Sequence, residues 1–181
     1  MLKLRDWIDI NKIDWYGLSF NSNAIELLKQ NKNKIHWNNL SENPNAVELL
    51  KENRDKIEWD FLSKNPNAID LLKENQDKIN WDYLPLNINA IELLKENQNK
   101  FFWPLLSLNE NPNIMDLLKE NQDKIYWPYL SQNPNAMSLL KENQDKINCF
   151  YFSKNTNIFT YDYELMKETI KKSGIAEKLT T

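Results

Sequence analysis

The chain is poor in the residues on which most site chemistry depends. Of its 181 residues one is cysteine, one is histidine and two are glycine. A lone Cys149 rules out an internal disulfide framework and fits a reducing compartment. A single His36 beside a single Cys149 leaves no cluster of nitrogen and sulfur ligands for a metal. The two occupy unrelated places in the period described below, which argues against a Cys-His nucleophile pair. Gly17 and Gly174 are isolated, so there is no glycine-rich phosphate loop. No apolar run approaches the ~18 to 20 residues of a membrane helix, and mean hydropathy is -0.72. The segment from Met1 to Trp7 lacks the apolar stretch of a secretory signal, so an intracellular location is expected. Arginine is confined to Arg5 and Arg54, and 23 basic residues mix with 26 acidic ones for a net charge of -3. No basic stripe results, so nucleic-acid binding by phosphate neutralisation is not expected. No catalytic residue, cofactor site or metal site is expected, and the chain reads as a non-enzyme.

What is present is a repeat. Trp15, Trp37, Trp59, Trp81 and Trp103 follow one another at intervals of 22 residues, Trp127 comes 24 later, and Cys149 takes the tryptophan slot after another 22. Counting tryptophan as position 1, the consensus is W-x-x-L-S-x-N-P-N-A-I-x-L-L-K-E-N-x-D-K-I-x, most complete over residues 59–80. A fixed period of this length is the mark of a stacked repeat architecture.

Each unit reads as two helices. In the third copy Asn65 is placed as an N-cap with Pro66 at the first helical position, where a missing N–H costs nothing. Ala68, Ile69, Leu71 and Leu72 form one apolar face, and Asn75 is expected to stop the helix in a left-handed conformation. A second, shorter helix is expected to open on an Asp or Asn at position 19 (Asp55, Asp77, Asp123 and Asp145, with Asn11, Asn33 and Asn99) and to be α or 3-10 in character. The expected caps are thus Asn43, Asn65, Asn111, Asn133 and these four aspartates. Helices shorter than about 12 residues are marginal alone, so neighbouring units must bury one another's apolar faces.

The expected fold is all-α, an elongated α-solenoid of stacked two-helix repeats. Residues 1–14 form an N-terminal capping half-repeat, residues 15–148 six tandem repeats, and residues 149–181 a degenerate seventh repeat with a capping helix. The N-terminal cap is expected to bury Leu4, Trp7, Ile8 and Ile13. The closing helix is expected to bury Tyr163, Met166 and Ile170 and to end at Gly174, with residues 176–181 frayed.

The opening Leu4-Arg5-Asp6-Trp7-Ile8-Asp9, the iterated core over residues 62–73 and the tail Ile158-Phe159-Thr160-Tyr161-Asp162-Tyr163 resemble the short tandem-repeat proteins of giant, mimivirus-like DNA viruses of amoebae. The likeness covers residues 4–168. It implies a viral protein of the host cytoplasm or the virion, and it carries over no functional residue. The two-helix unit is also similar in layout to leucine-rich-variant and other short α-solenoid repeats.

Each conspicuous column has a plain structural explanation beside a functional one. Trp15, Trp37, Trp59, Trp81, Trp103 and Trp127 could stack bases or sugars, but a regular tryptophan beside Ile and Leu reads better as a core column. The asparagine columns (Asn43, Asn65, Asn87, Asn111 and Asn133, with Asn45, Asn67, Asn89, Asn113 and Asn135) hardly vary, unlike the coding side chains of helical RNA readers. Capping and hydrogen bonding between repeats explain them better.

Variation points elsewhere. The slot before tryptophan holds His36, Glu58, Asn80, Phe102, Tyr126 and Asn148, and the slot after serine holds Phe20, Glu42, Lys64, Leu86, Leu108 and Gln132. Leu86, Phe102, Leu108 and Tyr126 are the candidate docking patch, beside a two-residue insertion placed around Asn109 and Glu110. The bland alternative is that these larger residues refill space opened by the insertion. The expected function is a scaffold for an unidentified host or viral protein partner, monomeric, with a structural, end-to-end assembling role as the alternative.

Overall fold

The computed structural model describes residues 3–173, and side chains through residue 168. Among the described residues all regular structure is α-helix or 3-10 turn and there is no strand. The chain is therefore all-α.

The period is visible as short helices in alternation. The tryptophan helices are α1 (Trp15–Phe20), α3 (Trp37–Glu42), α5 (Trp59–Leu62), α8 (Trp103–Leu106), α10 (Trp127–Gln132) and α12 (Cys149–Phe152). Between them run α2 (Ile25–Gln30), α4 (Val47–Lys51), α6 (Ile69–Glu74), α7 (Ile91–Glu96), α9 (Ile114–Glu120) and α11 (Met137–Glu142), and α13 (Tyr163–Ser173) follows. The fourth unit has a 3-10 turn, Leu84–Leu86, in place of most of its tryptophan helix. Corresponding elements of consecutive units pack together, as α1 with α3, α3 with α5 and α10 with α12.

The core is leucine. Leu40, Leu62, Leu84, Leu106 and Leu130, at position 4 of their units, are fully buried, as are Leu50, Leu72, Leu94 and Leu118 at position 14. Each contributes about 1.5–3 kcal/mol by leaving water. Ala46, Ala68, Ala90 and Ala136 lie among them, small enough for close approach of backbones.

The tryptophans are not the buried column that the periodicity suggests. All six lie half-buried at the edge of the leucine core. An ammonium group covers the open face of most of them: Lys34 over Trp15, Lys78 over Trp59, Lys100 over Trp81, Lys124 over Trp103 and Lys146 over Trp127, at 4.5 to 4.8 Å from the ring centroid. The π face of an indole attracts a cation, and the exposed ammonium stays hydrated on its far side.

Several local expectations are corrected. Asp55, Asp77, Asp123 and Asp145 do not cap helices. They sit at the middle of 3-10 turns (Arg54–Lys56, Gln76–Lys78, Gln122–Lys124 and Gln144–Lys146) whose N-cap residues are asparagines. After each turn an isoleucine (Ile57, Ile79, Ile125, Ile147) takes an extended conformation, which breaks the chain before the tryptophan helix begins. Asn75 is not left-handed: its φ is -135° and ψ 52°. Its side-chain amide instead donates to the carbonyl of Leu71 at 2.8 Å, supplying a donor to the open end of the helix. The longer helix of the third unit starts at Ile69 rather than at Pro66. In the second and sixth units the Pro-Asn-Ala segment forms a 3-10 turn, capped by Asn43 and Asn133.

The insertion is also displaced from its expected place. Asn109 is buried and bonds as the position-7 asparagine, while Asn111 bonds as the position-9 residue. The two extra residues are thus Pro112 and Asn113, and Ile114 fills the alanine slot. Asn111 nevertheless accepts the N–H of Asn113 at 2.9 Å, the turn contact expected of it as a cap.

Of the residues expected to cap the ends, Leu4, Ile8 and Ile13 are half-buried, whereas Trp7, Tyr163 and Met166 are exposed. Trp7 is 80% exposed, Tyr163 63% and Met166 43%. The side chain of Ile170, Gly174 and residues 176–181 lie outside the described residues.

Candidate interaction surface

Two ladders of side-chain amides and a column of serines hold consecutive units in register. Asn65 donates through Nδ2 to the carbonyls of Ser41 and Asn43 at 2.9 and 2.8 Å. Asn87 does the same to Ser63 and Asn65 at 3.1 and 2.7 Å. The column continues through Asn109, Asn133 and Asn155, all buried. Each Oδ1 accepts the N–H two residues on, so one side chain caps its own turn and ties down the preceding unit. A second, exposed ladder runs through Asn45, Asn67, Asn89, Asn111, Asn135 and Asn157 to the carbonyls of Ser22, Pro44, Pro66, Ile88, Glu110 and Pro134. Among the described residues no buried side-chain nitrogen or oxygen lacks a partner.

The serine column bears on recognition. Ser63 is fully buried; its hydroxyl donates to the Trp59 carbonyl at 2.8 Å and accepts the N–H of Asn80 at 2.9 Å. The same N–H to hydroxyl bond joins His36 to Ser19, Glu58 to Ser41, Tyr126 to Ser107 and Asn148 to Ser131. His36, Glu58, Asn80 and Tyr126, each just before a tryptophan, are therefore fixed by their backbones. The side chain at this position is free to differ from unit to unit, and it is exposed at His36, Glu58, Phe102 and Tyr126. Pro85 stands in the serine slot of the fourth unit, so Phe102 has no hydroxyl to bond to.

The four residues of the candidate patch occupy different surroundings. Phe102 is 54% and Tyr126 43% exposed, whereas Leu86 and Leu108 are half-buried. Leu108 lines a cleft of about 240 Å³ with Gln132, Pro134 and Lys154, apart from Phe102 and Tyr126. Tyr126 packs edge-on against Tyr129 at 4.7 Å, and Tyr129 meets Tyr151 at 6.0 Å. Phe150 adjoins Tyr151 at 5.3 Å, and the Lys154 ammonium lies 4.4 Å from the Phe150 centroid. The apolar surface thus extends toward the last units through residues that the variable slots did not single out. Position 3 of the period, which holds Phe61, Tyr83, Leu105, Tyr129 and Tyr151, would have disclosed it. In the third and fourth units the same face carries Lys64 between Phe61 and Tyr83, at 4.6 and 5.4 Å, with its ammonium 2.7 Å from Glu42.

Among the described residues no group of three His, Cys, Asp or Glu could hold a metal ion. His36 lies edge-on to Tyr16 at 5.4 Å. The Lys51 amine has its pKa raised by a hydrogen bond to the Glu48 carboxylate and by that group's charge, which keeps it protonated at neutral pH. Among the described residues no helix is long and apolar enough to cross a membrane. Comparison with family models, with curated proteins and with solved structures yields no match.

Proposed function

We propose that the chain is a non-enzymatic scaffold in which two-helix units stack into an elongated solenoid and a variable face binds a protein partner. One observation carries this reading. At His36, Glu58 and Tyr126 the residue before tryptophan is anchored by its backbone N–H to the preceding serine while its side chain is exposed, so specificity can change without cost to the fold. Phe102 and Tyr126, with Tyr129, Phe150 and Tyr151 alongside, supply the aromatic surface on which interface energy concentrates. The buried amide ladder speaks against a nucleic-acid reader, because both N–H groups of the Nδ2 of Asn65, Asn87 and Asn155 are committed to carbonyls and offer no donor to a base edge. The sequence likeness to repeat proteins of giant viruses supports a viral origin and a host or viral partner, in the host cytoplasm or the virion.

The test is affinity capture with the full chain, followed by binding measurements on the captured protein with Phe102→Ala and Tyr126→Ala. Loss of binding at an unchanged melting temperature supports docking. A lowered melting temperature with binding retained assigns these rings to packing instead. Solution X-ray scattering tests the solenoid: a compact chain of this length has a radius of gyration of about 16 Å, and a stacked array exceeds it.

A further inference from the structure

We propose that the groove beside α1 and α2 receives residues 149–157 of a second copy of this chain, so that copies join head to tail through the ladder that joins units within one copy. The inference extends the unit-on-unit stacking proposed above, and it concerns the ends of the array rather than its variable face.

Asn21 holds the place of Asn43 one unit earlier, and its Oδ1 accepts the Asn23 N–H at 2.9 Å as its counterparts do. The Nδ2 of Asn43 reaches back to the Ser19 carbonyl at 3.0 Å, and that of Asn45 to Ser22. Among the described residues the Nδ2 groups of Asn21 and Asn23 have no such acceptor, and both side chains are exposed. They line an open groove of about 890 Å³ whose apolar walls are Leu4, Ile8, Leu18, Ala24 and Leu27. Residues 3–8 stand one period before Ile25–Gln30, where the longer helix of a unit would lie, but they form turns. The groove is the space that a tryptophan helix and its Asn-x-Asn segment fill in every later unit.

The other end offers the missing half. The ladders run to Asn155, bonded to Ser131 and Asn133, and to Asn157, bonded to Pro134. The next carbonyls in register are those of Ser153, Asn155 and Thr156, and among the described residues none accepts a hydrogen bond. Helix α12 beside them leaves Phe150 68% exposed, and the side chains of α13 are exposed as far as described. With residues 149–157 of a second copy in the groove, Asn21 meets the second copy's Ser153 and Asn155 carbonyls, and Asn23 meets its Thr156 carbonyl. The Asp14 N–H meets the second copy's Ser153 hydroxyl, as the His36 N–H meets Ser19 at 3.1 Å. Residues 149–157 of one copy and 3–14 of the next then make one whole unit, a heterologous contact that propagates.

Sedimentation equilibrium and light scattering of the full chain from ~10 μM to ~1 mM read the outcome. The expected result is a mass that rises above the 21.7 kDa monomer with concentration. The double variant Asn21→Asp, Asn23→Asp keeps the Asn21 Oδ1 that accepts the Asn23 N–H, and so the local turn and the melting temperature, but removes the donors and sets carboxylates against carbonyls. It should weaken association about 100-fold. Asn23→Asp alone, at the more exposed ladder, should weaken it less and guards against loss of folding. A wild-type chain that stays at the monomer mass throughout overturns the proposal, as does a folded double variant that assembles like wild type. So does loss of assembly in Leu165→Ser, Met166→Ser, which would assign it to α13. Partner binding through Phe102 and Tyr126 is read separately, so the two readings fail independently.

Discussion

The Nδ2 of Asn87 lies 2.7 Å from the backbone carbonyl of Asn65, 22 residues earlier, and Asn65 stands in the same relation to Asn43 at 2.8 Å. Each of these asparagines accepts a bond in its own turn, donates to the unit before it, and through its carbonyl receives the unit after it. Removing one side chain therefore costs bonds in its own unit and in the unit before it, while its backbone carbonyl still receives the unit after.

Asn65→Ala should be among the most damaging polar substitutions. It orphans the Ser41 carbonyl, leaves the Asn43 carbonyl with only the Ala46 N–H, and uncaps the turn at Asn67. The expected loss is about 3 kcal/mol, whereas Asn67→Ala, on the exposed ladder, should cost about 1 kcal/mol. Urea denaturation of the two variants measures the difference.

The place of the insertion predicts an asymmetry. Asn109 is buried with two carbonyl partners, and Asn111 is only half-buried. Asn109→Ala should therefore destabilise more than Asn111→Ala, by about 1–2 kcal/mol. Deleting Pro112 and Asn113 together should leave the helical circular dichroism intact. A collapse of that signal would place the extra residues elsewhere.

Leucine and tryptophan should rank by burial rather than by size alone. Leu62 is fully buried, and Leu62→Ala should cost about 2–5 kcal/mol. Trp59 is half-buried beneath the Lys78 ammonium at 4.8 Å. A double-mutant cycle on that pair should return a coupling of about 0.5–1 kcal/mol, read from unfolding midpoints.

The serine column yields a stabilising change. Pro85 sits where other units place the hydroxyl that receives the next N–H, and Phe102 lacks that bond. Pro85→Ser should raise stability by about 0.5–1 kcal/mol if the new hydroxyl is satisfied. Ser63→Ala, which removes the bridge between Trp59 and Asn80, should lower it by about 1–2 kcal/mol. Thermal melts of both variants should move in opposite directions.

The sequence by itself determined the period, the all-helical class and the leucine face, because helical spacing writes apolar residues at fixed intervals. It also marked most of the asparagines that close local turns, since a cap and the N–H it accepts lie within three residues. Tertiary structure decided the rest. The acceptors of the ladders are backbone carbonyls of the preceding unit, a group that every residue owns, so no letter marks Ser41 or Pro85 as a partner of Asn65 or Asn109. The half-burial of the tryptophans depends on the space left between two helices and on a lysine that arrives from the next turn. The insertion could be counted in the sequence, but only the bonds made by Asn109 and Asn111 located it. Short-range periodicity is legible because it repeats along the chain, whereas register between units is a matter of which polar groups meet once the chain has folded.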